Sequence, residues 1–226
     1  MPTNAPITWD DTGNRFFETG VDHGVLYVLD STTNTYGNGV PWNGLTGVTE
    51  SPDGAEPTDL WADNIKYATL RSAETFGMTI EAYTYPDEFG ECDGSASPAT
   101  GVHIGQQARK SFGFSYRTKV GSDTDTEANM YKIHVVYNCT ASPSERSYES
   151  INDSPEAITF SWEVTTTPVN VTGYKATSEI TIDVWKLDTA KKKALEDALY
   201  GTSSKAGTLP TPDALLALVG GSIITT

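Results

Sequence analysis

Histidine, cysteine and basic side chains are all scarce in this chain, and each shortage removes a class of function. Three histidines and two cysteines occur in 226 residues. Cys92 and Cys139 form no Cys-x-x-Cys pair and no zinc spacing. They read as two buried reduced thiols, with a single disulfide between loops as the alternative. His23, His103 and His134 have no second His or acid at ligand spacing in the sequence, so each reads as a surface or hydrogen-bonded histidine, and neither a metal nor a cofactor is expected. Fifteen Lys and Arg against thirty Asp and Glu leave a net charge of −15. Phosphate binding needs clustered cations, so a broad nucleic-acid grip is excluded, and an anionic membrane surface would repel the chain. No apolar run approaches the ~18 residues that span a bilayer, which excludes membrane insertion by a helix. Met1-Pro2-Thr3-Asn4 opens with neither a basic segment nor an apolar one, so no secretory signal is expected. The sequons at Asn138 and Asn170 carry little meaning without secretion.

Catalytic signatures are missing as well. There is no Gly-x-Ser-x-Gly elbow, Ser-x-x-Lys pair or Gly-rich phosphate loop. Asp123, Asp125 and Glu127 begin like a calcium loop, but Ala128 and His134 stand where Gly and Glu are needed, so an acidic turn is expected. Asp87, Glu88, Glu91 and Asp93 form the densest acidic cluster. Paired carboxylates can serve a glycosidase, yet thirty acids supply such pairs by chance. The expectation is that the chain is not an enzyme.

What the chain does have is aromatic residues and alternation. Five Trp, eleven Tyr and seven Phe argue against disorder. Residues 25–29 read as a short buried strand. Period-two patterns run through Phe76-Met78-Ile80-Ala82, Phe112-Phe114-Tyr116, Ile133-Val135-Tyr137, Ile158-Phe160-Trp162-Val164 and Ile180-Ile182-Val184. With residues 65–70 this makes about seven strands, each with one apolar face, as in an antiparallel sandwich. Residues 65–70 and 75–85 are expected to pair as a hairpin. Residues 30–63 are rich in Gly, Pro, Asn and Thr and read as a long functional loop, docked through Tyr36, Trp42, Leu45, Leu60 and Trp61.

Helical signal comes late. Asp188 or Thr189 caps a helix bearing Ala194, Leu195, Ala198 and Leu199, and Gly201 ends it. Thr211-Pro212-Asp213 starts a second, carrying Leu215, Leu216, Leu218 and Val219 up to Gly220-Gly221. Residues 202–210 between them read as a linker. The chain then divides into a β domain over 1–200, with the 30–63 loop inside it, and a C-terminal arm over 201–226. The alternative is that the last helix packs on its own domain.

Several segments in order carry a resemblance. They are Glu18-Thr19-Gly20-Val21-Asp22-His23-Gly24-Val25-Leu26-Tyr27, Val40-Pro41-Trp42-Asn43-Gly44-Leu45-Thr46, Ala62-Asp63-Asn64-Ile65-Lys66-Tyr67 and the run from Ile80 to Phe89. Ile104-Gly105-Gln106-Gln107-Ala108-Arg109-Lys110 and the Asn152–Ala157 turn before Ser161-Trp162 continue it. Over roughly residues 15–200 the chain resembles the major tail (tail tube) proteins of long, non-contractile-tailed bacteriophages. The resemblance implies a mainly β fold: an antiparallel sandwich of the tail-tube type with a flanking helix. It implies a virion tail protein made in the host cytoplasm, whose subunits form rings, usually hexamers, stacked into a tube. DNA would pass through without specific binding during genome ejection, and tape-measure, tail-terminator and tail-tip proteins would be the partners. Six copies at −15 each bring about −90 to a ring, a wall that repels phosphates if the charge faces inward. Glu74 and Glu81 are the expected lumen-facing residues. Tyr36, Trp42, Trp61, Leu215, Leu216 and Leu218 are expected at contacts between subunits or rings. Competing readings are a carbohydrate-binding sandwich using Trp42, Trp61 and Trp185, a decoration or head–tail connector protein, and, more distantly, a glycosidase.

Overall fold

The structure is a computed structural model that describes residues 7–54, 56–148, 150–151, 153 and 157–221. Its elements begin with β1 (Phe16–Asp30), β2 (Thr35–Tyr36), β3 (Val40–Trp42), β4 (Leu45–Glu50) and β5 (Asp53–Gly54). Next come β6 (Pro57–Ala62), β7 (Ile65–Arg71), β8 (Glu74–Thr75) and β9 (Gly77–Ala82). A 3-10 turn (Asp87–Glu91) precedes β10 (Ala96–Ala99), β11 (Val102–Ile104), β12 (Phe112–Ser122) and β13 (Met130–Ala141). β14 (Phe160–Thr166), β15 (Glu179–Asp183) and helix α1 (Thr189–Tyr200) follow, then β16 (Gly201–Thr202), β17 (Lys205–Ala206) and α2 (Pro212–Val219). The fold is mainly β and antiparallel, with two helices. Much of the turn at 152–157 lies outside the described residues.

One sheet runs β2-β1-β12-β13-β14-β9-β4, with β3 also on β1 and β15 also on β13. The branch point is β13. Its residues Lys132–Val136 pair with β15 and Cys139–Ala141 pair with β14. Between the two halves Asn138 has φ 49°, and the β12 register slips between Phe112↔Cys139 and Phe114↔Val136. That is a bulge at a residue type that tolerates the left-handed region, and a bulge bends its strand. The Tyr36 hydroxyl accepts the Asn138 N–H at 2.9 Å, so the displaced donor is not orphaned. The sheet therefore folds over on itself. β14, β9 and β4 form one layer, β1, β12, β13 and β15 the next, and α1 with α2 the third.

Two cores fill the two gaps. Between the sheet layers lie Leu26, Trp42, Met78, Ile80, Phe89, Phe112, Phe114 and Trp162. Trp42 sits at the centre of this aromatic packing, with ring centroids 4.5 Å from Phe89, 5.4 Å from Trp162 and 5.5 Å from Phe114. Both cysteines are free thiols buried in this core. Between the middle layer and the helices lie Tyr27, Ile133, Val135, Tyr137, Leu195, Leu199, Leu209 and Leu215. Ile133–Tyr137 is thus buried on both faces, so the expected polar side of this strand does not reach water. A strand covered on both sides need not alternate.

The helix boundaries fall where the caps predict. The Asp188 side chain accepts from the Lys191 N–H, and Thr211 from Ala214; Gly220, at φ 81°, closes α2. Residues 202–221 pack on the domain, and residues 222–226 of the expected arm lie outside the described residues. Thr208 N–H donates to the Ala198 carbonyl, Gly39 N–H donates to the Gly207 carbonyl, and Leu215 is 0% exposed. Burying Leu215 removes apolar surface from water within the subunit, which corrects the expectation that it serves other copies. Leu216 and Leu218 remain partly exposed.

Leu215→Ala is expected to cost about 2–5 kcal/mol of folding stability, read by urea denaturation of the isolated chain, since it leaves a cavity under α2. A second prediction concerns the Arg117 fork on Asp22, at 2.6 and 2.9 Å, which staples β12 to β1. Burial alone raises the Asp22 carboxyl, but hydrogen bonds and charge from Arg117, helped by His23, outweigh it and hold the group below its usual 3.8. A depressed folded pKa gives stability that is present above the unfolded value and lost as pH falls through the folded one. The stability gap between the native chain and Asp22→Asn should therefore hold above ~pH 5 and close below ~pH 4, measured by denaturation across pH.

Candidate assembly surface

Residues 45–82 form one interrupted antiparallel ribbon. β4 pairs with β9, β5 with β8, and β6 with β7 in continuous chain order. This corrects two expectations. Residues 30–63 are mostly short strands rather than loop, and β7 pairs with β6 rather than with residues 75–85. The tip turn is Asp63-Asn64, both at positive φ (52° and 64°), the geometry a tight hairpin turn demands. Beyond the sandwich the ribbon has about a dozen residues per strand, a reach of up to ~40 Å at ~3.3 Å per residue.

Among the described residues nothing covers this arm. Every residue of β6 and β7 is exposed except Ala68, which is half-buried. Trp61 is 68% and Tyr67 74% exposed, and Leu60, Ile65 and Leu70 are also in water. A lone two-stranded ribbon is marginal in water, and clustered exposed apolar side chains mark contact surfaces. Its own polar support is small: Asp59 accepts from Thr69 at 2.8 Å and pairs with Lys66. At the root of the arm, β4 is an edge strand with β9 as its single neighbour in the sheet. Its outer side has no strand partner among the described residues.

The outward face of the β14-β9-β4 layer is set by register. Ser161 lies opposite Glu81, and Glu163 opposite Thr79; Gly47 and Thr49 flank the same positions from β4. The three strands contain no Lys or Arg. The face is small-residue, polar and acidic. Glu81 is exposed on it, and Glu74 is exposed at the base of the arm.

The remaining sequence-predicted residues scatter. Trp42 is 3% exposed, and its Nε1–H donates to the Thr84 carbonyl at 2.9 Å. It can neither dock a partner nor serve a sugar platform; its flanking Pro and Asn suggested a loop, whereas it fills the sandwich centre. Tyr36 is half-buried against Tyr137. Trp185 is half-buried beside Phe16, far in sequence from Trp61 on the arm. In the acidic cluster, Glu91 pairs with Lys110 at 2.5 Å and Asp93 pairs with Arg146, so two of its four carboxylates are committed to structural ion pairs. Asp123 and Asp125 lie in the β12–β13 turn, accepting from Gly13 N–H and Asn129 respectively.

One polar cluster was invisible in the sequence. At the open end of the sandwich, Glu50 of β4 meets His134 of β13 and Glu179 of β15. His134 Nδ1 lies 3.2 Å from a Glu50 oxygen and 3.4 Å from a Glu179 oxygen. The ring stacks on Tyr116 at 4.7 Å and 2°, and its Nε2 lies 3.0 Å from Thr118 Oγ1. The Tyr116 hydroxyl donates to Glu50, and burial followed by that carboxylate pushes the phenol far above its ordinary range. Burial would raise the Glu179 carboxyl, but hydrogen bonds from His134 and Thr181 outweigh it and hold the group below its usual range. Glu50 and His134 stand 84 positions apart in the chain, and His134 and Glu179 stand 45 apart. No local spacing could have revealed them; only the sheet register does.

No protein-family model and no curated protein matches the chain. Among solved structures it is similar to the sheath/tube terminator of an extracellular contractile injection system (PVC) in its extended state. The TM-score is 0.32 at 12% identity, over 78% of this chain and 99% of that one. The sheath–tube complex of the same kind of system gives 0.30 at 13%, over 80% and 94%. The baseplate of the anti-feeding prophage gives 0.32 at 8%, over 80% and 100%.

Proposed function

We propose that this chain is a structural subunit of a virion tail, which assembles with copies of itself into stacked rings forming the tail tube. The observation that carries the reading is the ribbon arm: an apolar two-stranded extension, exposed on both faces, growing from an open sheet edge. Isolated, such an arm leaves apolar area in water and backbone groups unpaired; against a second copy both deficits close. In this reading β4 of one subunit pairs with the next around a ring, which consumes its open edge, and the arm lies on the neighbouring ring.

The acidic, cation-free face of the β14-β9-β4 layer then lines the lumen, with Glu81 and Glu163 on the wall and Glu74 at its rim. Carboxylates in that position repel passing DNA at short range. The ordered likeness of residues 15–200 to major tail proteins supports the same assignment, and so does the commitment of Glu91 and Asp93 to ion pairs instead of a catalytic dyad. Hexameric closure, genome delivery, and contact with tape-measure, terminator and tip proteins belong to this reading.

The test is assembly. At high concentration the full chain should give rings or tubes by negative-stain microscopy and a large species by light scattering. A variant in which a short glycine-containing turn replaces residues 57–71 should stay monomeric with a melting temperature within a few degrees of the parent. A parent chain that remains monomeric, or an armless variant that assembles as well as the parent, would sink the proposal.

A further inference from the structure

From the geometry at the open end of the sandwich we infer a divalent-cation site formed by Glu50, His134 and Glu179, suited to a borderline cation such as Zn2+. One carboxylate oxygen from each glutamate and Nδ1 of the imidazole all lie within 4.8 Å of one another.

Spacing is the first argument. Ligand atoms about 2.1 Å from a cation stand about 3.0 Å apart at a right angle and about 3.4 Å apart at the tetrahedral angle. The two Nδ1···O separations are 3.2 and 3.4 Å. The imidazole thus already stands at ligand spacing from each glutamate, and the two glutamate oxygens lie within 4.8 Å of each other.

Charge is the second. Two carboxylates and a neutral imidazole carry −2, which a dication cancels. A proton serves the cluster less completely: Nδ1 faces the Glu50 and Glu179 oxygens and also Thr181 Oγ1 at 3.2 Å, and one N–H cannot satisfy three oxygens. A cation attracts both carboxylates and the imidazole lone pair together.

Orientation is the third. When a cation binds, the Nε2–H can be given to Thr118 Oγ1, 3.0 Å away, which leaves the Nδ1 lone pair facing the carboxylates. The Tyr116 hydroxyl positions Glu50 and the Thr181 hydroxyl positions Glu179 at 2.7 Å. Ligands held by outer hydrogen bonds in this manner are the usual company of a bound metal. His134 is only 8% exposed, whereas the Glu50 side chain opens to solvent and gives an entry path with room for water ligands. The imidazole selects against Mg2+ and Ca2+, which prefer oxygen-only shells. Because Glu50 comes from one layer and His134 with Glu179 from the next, the ion clamps the layers together.

The experiment is calorimetric titration of the full chain, stripped with a chelator, using Zn2+, Mg2+ and Ca2+ alone. One Zn2+ per chain is expected, with a raised melting temperature and little response to Mg2+ or Ca2+. Glu50→Gln, whose amide oxygen can still accept from Tyr116, and Glu179→Gln should each weaken Zn2+ binding by ~10-fold or more. Glu91→Gln, in the separate pair with Lys110, should leave it unchanged. Absence of a one-per-chain Zn2+ event overturns the site, and so does binding that both glutamine variants retain, which would put the ion elsewhere. Neither result bears on whether the chain assembles into rings.

Discussion

Strand β13 lies between an aromatic core on one face and a helix-capped core on the other, and the remaining architecture follows from that placement. Its side chains Ile133, Val135 and Tyr137 hold α1 and α2 in place, while Val136 and Cys139 face the second sheet layer. A strand with no solvent face cannot slip by one residue without exchanging two unlike environments, so its register is fixed twice over. The Asn138 bulge then lets it belong to two layers at once, with β15 on its first half and β14 on its second. The bend that brings β14, β9 and β4 across the sandwich starts at this residue. The position of the arm, the outward acidic face and the Glu50–His134–Glu179 cluster all depend on it.

The surfaces that this scaffold presents are unequal. On α1, Lys191 pairs with Asp188 and Lys193 with Asp197, while Lys192 lies over the Tyr131 ring, so the outer side of this helix is an ordinary solvated face. The β14-β9-β4 face carries acid and no cation, and the arm carries aromatic and aliphatic side chains with little polar support. One subunit therefore combines three surfaces of different chemistry. Each is set by strand register, and none requires a catalytic group.

Much of the core was legible in the sequence because its signals are local. Alternation marked β9, β12, β13, β14 and β15, and the caps at Asp188 and Thr211 marked both helices. Between residues 30 and 63 the signals failed for a physical reason: β2, β3 and β5 are only two or three residues long, and β6 is exposed throughout, so no apolar face alternates with a polar one. Asp63-Asn64 was the one local cue to the arm hairpin, a pair of residue types that tolerate positive φ at the tip. Trp42 misled because Pro41 and Asn43 read as loop while the indole is drawn into the core by Phe89, Phe114 and Trp162. Leu215 misled because a helix behind a Gly/Ser/Thr stretch looks tethered, whereas Thr208 and Leu209 dock that stretch on α1 and the core. The metal-like cluster was not readable at all, since its members meet only after three strands find their register.

The continuity of the arm with β4 and β9 has a mechanical side. A pull on the Asp63-Asn64 tip draws both strands along their own axes in the same direction, so the bonds between β4 and β9 are not strained against each other. The load passes instead to the β9–β14 ladder, from Phe160↔Ala82 to Thr165↔Gly77. There the force runs parallel to the strands and shears the ladder's hydrogen bonds together rather than peeling them one at a time. Tension on the most exposed part of the molecule is thereby carried into its most deeply packed part.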